Sequence, residues 1–188
     1  MKNSYILLRH GETKYQANNL DILYSKEDQI MLPITQKGEK KIKEVAKQLK
    51  EKEIDIIYAS DFYRTRQTAE IVAKEIKVKV ILDKRLRDTD FGFFSGRPAQ
   101  EYRMLFKNKL QRFSKRPEGG ESCRDVKRRI SEFFKQTERK YRSKTILVIS
   151  HADPIWLFSA FLKKLTEKET LKSSFYPDTG EYIEFSCK

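Results

Sequence analysis

The sequence predicts an α/β fold: a single three-layer domain with a mostly parallel central sheet and helices on both faces. Two apolar runs, residues 5–8 and 145–149, lack polar alternation, which is typical of strands buried on both faces. Between the predicted strands, apolar residues recur at helical spacing, and strands that alternate with helices favour this fold class. The predicted strands are residues 5–8, 54–58, 78–82, 145–149 and 181–185.

The composition predicts one domain over residues 1–188, with no internal repeat or linker. Lysine and arginine number 40 against 27 aspartate and glutamate residues, a net charge of +13. This excess favours anionic partners, but most of the lysines are scattered among acids, which is typical of a solvated face. Two cysteines are too few for a disulfide framework, and their spacing offers no metal site.

No run approaches the roughly 20 apolar residues that a membrane span needs. The first apolar run is interrupted by Arg9, too early for a signal peptide. With the low cysteine content, these features predict a cytoplasmic protein that has no membrane partner.

The first strand delivers Arg9 and His10 to its carboxyl end. Residues 14–31 are polar and irregular, which predicts a loop able to close over a ligand there. Thr35 is placed to cap a helix, because apolar residues follow it at helical spacing. These residues are Ile42, Val45, Ala46 and Leu49.

A helix is also predicted directly after the second strand, and a loop rich in glycine and aromatic residues follows the third strand at 86–96. Pro98 is placed to open a helix that runs to about Phe113. Ser122 and Asp125 match a capping box at the start of a further helix.

The fourth strand ends at Ser150-His151, and the next residues have the pattern of a helix start. Asp153 is expected to cap this helix, with Pro154 at its first position.

The two histidines of the chain occupy equivalent places, since His10 follows the first strand and His151 follows the fourth. Arg64 lies in the first turn of the helix after the second strand, where a cation is mildly unfavourable for the helix itself. Such a local conflict is typical of functional sites. The carboxyl ends of strands in an open α/β sheet meet at one crevice. We therefore expect these side chains, with Arg9, to converge on a site that suits a phosphate group.

Six segments along the chain carry a family resemblance. They are Leu8-Arg9-His10-Gly11-Glu12-Thr13, Leu32-Pro33-Ile34-Thr35 with Gly38, Ser60-Asp61-Phe62-Tyr63-Arg64-Thr65-Arg66-Gln67-Thr68-Ala69, Leu86-Arg87-Asp88 through Gly96, Pro117 to Ser122, and Ser150-His151. In this order they resemble the histidine phosphatase superfamily, which includes cofactor-dependent phosphoglycerate mutases and many small phosphatases. The resemblance covers nearly the whole chain and implies a phosphoglycerate mutase-like fold.

The resemblance also implies a mechanism for hydrolysis of a small phosphorylated substrate. His10 would attack phosphorus and form a phosphohistidine, from which water releases phosphate. Arg9, Arg64 and His151 would surround the phosphoryl group and stabilise charge on its oxygens. Neither a metal nor a cofactor is required by this scheme.

Three departures from the family pattern bear on the site. Asp88 stands where the family usually has its glutamate general acid, and a carboxyl one methylene shorter has less reach. Asp88 is the first candidate for the acid, with Asp90 and Asp153 as alternatives. Gln16 replaces a common asparagine that helps hold phosphate, so the resemblance implies a phosphate contact for Gln16. Ala152-Asp153 replaces a usual glycine pair.

Two other functions stay open at the level of sequence. The resemblance allows a cofactor-dependent phosphoglycerate mutase, although the chain is shorter than typical mutases. The net charge and the altered acid position allow a non-catalytic anion-binding protein. A nucleic-acid partner is disfavoured, because the basic residues do not cluster with stacking aromatics in a known RNA-binding motif. The identity of the substrate and the choice between monomer and dimer are left open by the sequence.

Overall fold

The central sheet has five strands, and the computed structural model describes them within residues 1–187. The strands are β1 (Ser4–Arg9), β2 (Ile56–Ala59), β3 (Val80–Leu82), β4 (Thr145–Ser150) and β5 (Tyr182–Phe185). Their order across the sheet is β3-β2-β4-β1-β5, and all neighbours are parallel except β1 and β5, which are antiparallel. The predicted α/β class with a mostly parallel sheet is confirmed. Residue 188, the last of the predicted domain 1–188, lies outside the described residues.

Eight α-helices cover or flank the sheet in the described part of the chain. They are α1 (Lys14–Ala17), α2 (Lys26–Met31), α3 (Gln36–Lys50), α4 (Tyr63–Ile76), α5 (Ala99–Met104), α6 (Cys123–Lys140), α7 (Ala152–Leu162) and α8 (Glu167–Lys172). Three short 3₁₀ turns lie at Lys84–Leu86, Gly92–Phe94 and Lys109–Phe113.

The three layers follow from alternation of side chains along the strands. On one face, Ile6 and Leu8 of β1 pack in a core with residues of α3 and α4, such as Ile42 and Val72. On the other face, alternate strand residues pack against α6 and α7. This second core includes Tyr5, Leu7, Ile146, Val148, Ile130, Phe133 and Phe158. Since both faces of β1 and β4 are buried, these strands read as continuous apolar runs in the sequence.

Two predicted helix starts are confirmed in detail. The Thr35 side chain accepts a hydrogen bond from Gly38 N and caps α3. Ser122 and Asp125 form the predicted capping box of α6. In both helices the cap satisfies backbone N–H groups that have no partner within the helix.

The predicted start of α7 is wrong by two residues. The helix begins at Ala152, His151 occupies the N-cap position with extended backbone, and Asp153 lies inside the first turn. The Asp153 carboxylate instead accepts hydrogen bonds from Arg112 and Tyr176. Pro154 is still tolerated, because N–H groups of a first helical turn have no intrahelical partner.

Two other expectations are corrected. The predicted loop at 14–31 contains α1 and α2, which are capped by the side-chain oxygens of the preceding residues, Thr13 and Ser25. The helix predicted from Pro98 to Phe113 ends at Met104. Its continuation is a separate 3₁₀ turn, which the Asn108 side chain caps by accepting a hydrogen bond from Gln111 N. Local side-chain bonds of this kind compete with a continuous helix.

The helix α8 was not predicted, although its signal is present in the sequence. Thr166 and Glu169 form a capping box at its start, the same pattern that marks α6.

The sheet register brings the site together. Arg9 of β1 is paired with Ser150 of β4, so His10 and His151 follow at neighbouring strand ends. On the other side of β4, Ala59 of β2 is paired with Ile149, and Ser60 N donates to Ile149 O at 3.0 Å. Three strands therefore end beside one another at one edge of the sheet.

Candidate active site

The His10 ring has a defined proton position. The ring is buried, and its Nδ1 atom lies 2.8 Å from the carbonyl oxygen of Gly11. Because a carbonyl oxygen only accepts, Nδ1 must carry the hydrogen, which leaves the Nε2 lone pair available. Burial and the cations Arg64 and Arg9 hold the pKa of His10 well below its ordinary value. The ring is therefore neutral at physiological pH and has a free nucleophilic nitrogen.

His151 lies against His10, with 5.3 Å between the two ring centroids. Its Nε2 atom is 3.0 Å from Ser60 Oγ, and its Nδ1 atom is 3.8 Å from Asp88 Oδ2. Burial, followed by the charge of Arg64, holds the pKa of His151 well below its ordinary value. The second histidine is therefore also neutral, and it faces the first.

Arg64 is fully buried in the first turn of α4. Its Nη1 atom donates to Gln29 O at 2.9 Å, and its Nη2 atom donates to Gln29 Oε1 at 3.0 Å and to Asp88 Oδ2 at 3.3 Å. The guanidinium also lies 4.4 Å from the ring centroid of Tyr24. Segment 14–31, predicted as a loop over the site, therefore contributes Tyr24 and Gln29 as direct partners of this arginine.

Buried side-chain nitrogens without a hydrogen-bond partner cluster at the site. Among residues 1–187, four buried side-chain nitrogens have no hydrogen-bond partner, and three of these belong to Arg9, Arg64 and His151. A buried, unsatisfied donor costs about 1–3 kcal/mol. Arg9 is otherwise fixed by a hydrogen bond from Nη1 to Pro177 O at 2.8 Å. The cluster is what an anionic ligand would satisfy, and a cavity of about 140 Å³ lined by Arg9, His10 and Asp88 adjoins it.

Asp88 is the carboxylate that lies among these groups. Burial raises its pKa, helped by the charge of Asp153 and opposed by Arg64. Asp90 is exposed, and its carboxylate accepts a hydrogen bond from Gly92 N. Asp153 is held by Arg112 and Tyr176. Of the three candidate acids, Asp88 therefore lies nearest to the two histidines and has the pKa shift that a proton donor needs.

Arg129 of α6 fixes the backbone that carries Asp88. Its guanidinium donates to the carbonyl oxygens of Arg85, Arg87 and Asp88 and is held by the Glu121 carboxylate. Arg129 was not predictable from the sequence, because α6 carries several arginines and nothing in the pattern distinguishes one of them.

Gln16 lines the same small cavity, as expected from its position after His10. Its Oε1 atom accepts from Thr13 N and Thr13 Oγ1, and its Nε2 atom donates to Tyr24 OH. The amide thus closes the capping box of α1 and supports Tyr24, which packs on Arg64. Its predicted contact with phosphate stays a prediction.

Within residues 1–187, no three His, Cys, Asp or Glu side chains are grouped closely enough to hold a metal ion. In the same part of the chain, no helix has both the length and the apolar character needed to cross a bilayer.

Comparison with known proteins finds a matching family and several relatives. The profile of the histidine phosphatase superfamily (branch 1) matches residues 5–185. Phosphoserine phosphatase 1 of Hydrogenobacter thermophilus is 27% identical over 156 residues, covering 80% of this chain and 71% of the relative. The fructose-2,6-bisphosphatase TIGAR of Xenopus tropicalis is 31% identical over 133 residues, 68% of this chain and 47% of the relative. A probable phosphoglycerate mutase of Cronobacter sakazakii is 41% identical over 91 residues, 48% of this chain and 40% of the relative.

The chain therefore spans less than half the length of the last two relatives.

Solved structures share its fold. A mycobacterial glucosyl-3-phosphoglycerate phosphatase in complex with VO3 matches with a TM-score of 0.84 at 20% identity, covering 97% of this chain and 90% of that one. The Bacillus stearothermophilus protein YhfR matches with a TM-score of 0.81 at 25% identity and the same coverage. Because the family profile spans almost all of the sequence, the chain belongs to the histidine phosphatase superfamily (branch 1), as an enzyme of the phosphatase type.

Proposed function

We propose that the protein is a metal-independent phosphomonoester hydrolase that works through a phosphohistidine on His10. The observation that carries the proposal is the free Nε2 of a neutral His10 beside buried, unpartnered side-chain nitrogens of Arg9, Arg64 and His151. The two guanidinium groups supply the positive potential that a transferring phosphoryl group requires. The chain's own side chains are therefore sufficient for charge stabilisation.

In the first step, the His10 Nε2 lone pair forms a bond to phosphorus while the bond from phosphorus to the alcohol oxygen breaks. Asp88 gives its proton to the departing oxygen, so the alcohol leaves neutral and Asp88 becomes a carboxylate. Arg9, Arg64 and His151 hold the three other phosphoryl oxygens. The raised pKa of Asp88 supports this role, because it favours the protonated form before the step.

In the second step, water attacks the phosphorus of phosphohistidine and the bond from phosphorus to Nε2 breaks. The Asp88 carboxylate accepts a proton from the water, which restores the acid for the next cycle. Phosphate leaves, and His10 returns to its neutral form. The bond from Nδ1–H to Gly11 O keeps the ring oriented in both steps.

The named functions of relatives support hydrolysis of small phosphorylated compounds. Phosphoserine phosphatase 1 aligns over 80% of this chain, whereas the probable phosphoglycerate mutase aligns over 48%. Phosphoglycerate mutase activity is the second candidate, because that mutase relative has the higher identity, 41%, over its shorter match. A cytoplasmic location and the single domain over 1–188 belong to the same proposal.

The test is hydrolysis of an aryl phosphate in the presence of a chelator. We expect the wild-type protein to release phosphate under these conditions and His10→Ala to lose the activity. Asp90→Asn is the matched control, since that carboxylate lies outside the proposed chemistry and we expect it to leave kcat within about two-fold. Full activity of His10→Ala would exclude the mechanism, and isomerisation of phosphoglycerate without phosphate release would favour the mutase.

A further inference from the structure

A cavity of about 600 Å³ adjoins the candidate active site and has no part in the chemistry described above. It shares four lining residues with the small cavity that Arg9, His10 and Asp88 line. The shared residues are Leu23, Phe91, Asp153 and Tyr176. These four residues therefore form the border between the two cavities. A group attached to a phosphoryl oxygen in the small cavity would cross this border to enter the larger one.

Aromatic rings form much of the lining of the larger cavity. Phe91 and Phe106 each lie edge-to-face with Tyr102, with ring centroids 5.0 Å apart in both pairs. Trp156 and Tyr176 form a second aromatic pair, with centroids 6.2 Å apart. A flat apolar group between such rings gains both burial and favourable ring geometry.

The charged residues of this lining are mostly cations. They are Arg103, Lys109 and Arg112, against the single carboxylate of Asp153. Arg103 is itself paired with the Asp21 carboxylate, which lies outside this lining. The carboxylate is already engaged, because Arg112 Nη2 lies 3.1 Å from Asp153 Oδ2 and Tyr176 OH donates to Oδ1 at 3.0 Å. Among residues 1–187, no carboxylate forms an ion pair with Lys109, so the charge of this lysine favours an anionic group on the ligand.

We propose that this cavity, the leaving-group cavity, binds the alcohol portion of the substrate. The preferred class is a phosphomonoester whose alcohol combines a flat apolar body with a second anionic group such as a carboxylate. The assignment to a leaving group rests on the proposed phosphomonoesterase function. The phosphoryl group lies at His10, the ester oxygen at Asp88, and the alcohol passes Phe91 and Tyr176 into the cavity.

A competing route is a second cavity of about 520 Å³, which Asp88 also lines. Its cations include Lys26, Lys84 and Arg87, but Phe62 supplies the single aromatic ring in its lining. A highly charged, compact alcohol would suit that cavity. A flat apolar alcohol therefore fits the leaving-group cavity better than this second cavity.

The test measures binding of a phosphate-free alcohol and requires no turnover. Trp156 is the single tryptophan of the chain and lines the leaving-group cavity, so its fluorescence reports on occupancy. The probe is 6-hydroxy-2-naphthoate, and we expect saturable quenching of the wild-type protein. Because no phosphate is transferred, the result is separate from the outcome of the hydrolysis assay.

Ser173→Phe places a ring into the cavity, and Ser174→Phe is the matched control at a neighbouring exposed residue outside the lining. We expect about ten-fold weaker binding in the first variant and wild-type binding in the second. Phe106→Ala, with exposed Met104→Ala as its control, tests the same site without adding volume. It should weaken binding about three- to ten-fold. Absence of saturable quenching, or equal affinities within both pairs of variants, would overturn the site.

Lys109→Ala tests the anionic part of the class. An exposed charge pair contributes about 0.2–1 kcal/mol, so we expect binding of 6-hydroxy-2-naphthoate to weaken by about 1.4- to 5-fold and binding of 2-naphthol to stay unchanged. Equal effects on both probes, or tighter binding of 2-naphthol to the wild-type protein, would overturn the preference for an anionic group.

Discussion

The hydrogen bond from His10 Nδ1 to Gly11 O decides which ring nitrogen can react. Without it, either tautomer could form, and the tautomer with its hydrogen on Nε2 would present a protonated nitrogen to phosphorus. Burial and two nearby arginines add to this by keeping the pKa of His10 low. The same arginines that would bind phosphate thus also keep the nucleophile unprotonated.

Asp88→Asn tests the assignment of the general acid. Loss of a general acid typically costs about 10²- to 10⁴-fold, and we expect kcat/KM for an alkyl phosphate to fall by a factor in this range. The kcat/KM for an aryl phosphate with an acidic leaving group should fall much less, because its oxygen needs little protonation. The measurement is kcat/KM for both esters across pH, because this parameter reports on the first step, in which Asp88 acts as the acid. For the alkyl ester, the wild-type kcat/KM should decline as pH rises through the raised pKa of Asp88, and this decline should be absent in Asp88→Asn.

Asp153→Asn is the informative comparison, since Asp153 is the rival carboxylate and shares its electrostatic environment with Asp88. We expect Asp153→Asn to retain the wild-type ratio between the rates of alkyl and aryl ester hydrolysis. If Asp153→Asn abolishes alkyl ester hydrolysis while Asp88→Asn retains it, the two assignments must be exchanged.

The start of α3 supports the loop that carries His10. Thr35 N donates to Glu12 O at 2.7 Å, and the Thr35 hydroxyl donates to Glu12 Oε1 at 3.0 Å. Gly38 lies so close to this loop that a Cβ there would be 2.6 Å from Glu12 O and 2.7 Å from Glu12 N. Both contacts are with backbone, so the glycine is required by close approach of the helix to the loop.

Gly38→Ala should therefore destabilise the protein. In an open helix this change stabilises by about 1 kcal/mol, but overpacking costs typically about 1–3 kcal/mol. We expect the free energy of unfolding in urea to fall by about that amount and kcat/KM to fall with it, because the shifted loop holds His10. Lys40→Ala, at an exposed position on the same helix, should be nearly neutral in both measurements. Increased stability of Gly38→Ala would contradict the packing.

The strands and long helices were predictable because each has a single periodic signal. The runs that became β1 and β4 are apolar on both faces, and Thr35 and Ser122 cap helices at the expected residues. The short helices were not predictable from periodicity, since α2 and α5 have six residues each and depend on tertiary contacts. The start of α7 was misplaced because Asp153 is engaged by Arg112, a partner 41 residues away.

Across the whole molecule, the two histidines are the only histidines of the chain, and both are buried in the site. Their pKa values are lowered in the folded state. At a pH below the ordinary histidine pKa of 6.5, the unfolded chain therefore binds more protons than the folded chain. Acidification below this pH must therefore destabilise the fold. Asp88 has the opposite effect on stability. Because its pKa is raised in the folded state, its ionisation at rising pH destabilises the fold.

The free energy of unfolding of Asp88→Asn, in which this opposing group is absent, should decrease between pH 6 and pH 5. Each histidine contributes up to about 1.4 kcal/mol per pH unit. Urea unfolding at several pH values measures the slope of the free energy of unfolding against pH. In the double variant Asp88→Asn/His151→Gln, this slope should be about half of that in Asp88→Asn. A slope that does not change when either histidine is removed would show that other groups cause the acid sensitivity.

The main site residues were predictable because strand ends converge by topology. Arg9, His10, Arg64 and His151 are brought together in this way. Asp88, which lies beside Arg64 and His151, was implied only by the resemblance to the family. Gln29 and Arg129 were not predictable, since they act on Arg64 and Asp88 from positions 35 and 41 residues away along the chain. Only the folded arrangement distinguishes them from other polar residues.

The central claim is a covalent phosphoenzyme on His10. The most direct measurement is rapid quenching of the protein with a ³²P-labelled phosphomonoester, followed by digestion and mapping of the labelled peptide. We expect label that is stable to alkali and labile to acid, carried on His10 and absent from His10→Ala. Label on a different residue, or single-turnover hydrolysis that forms no labelled protein at any time point, would contradict the account.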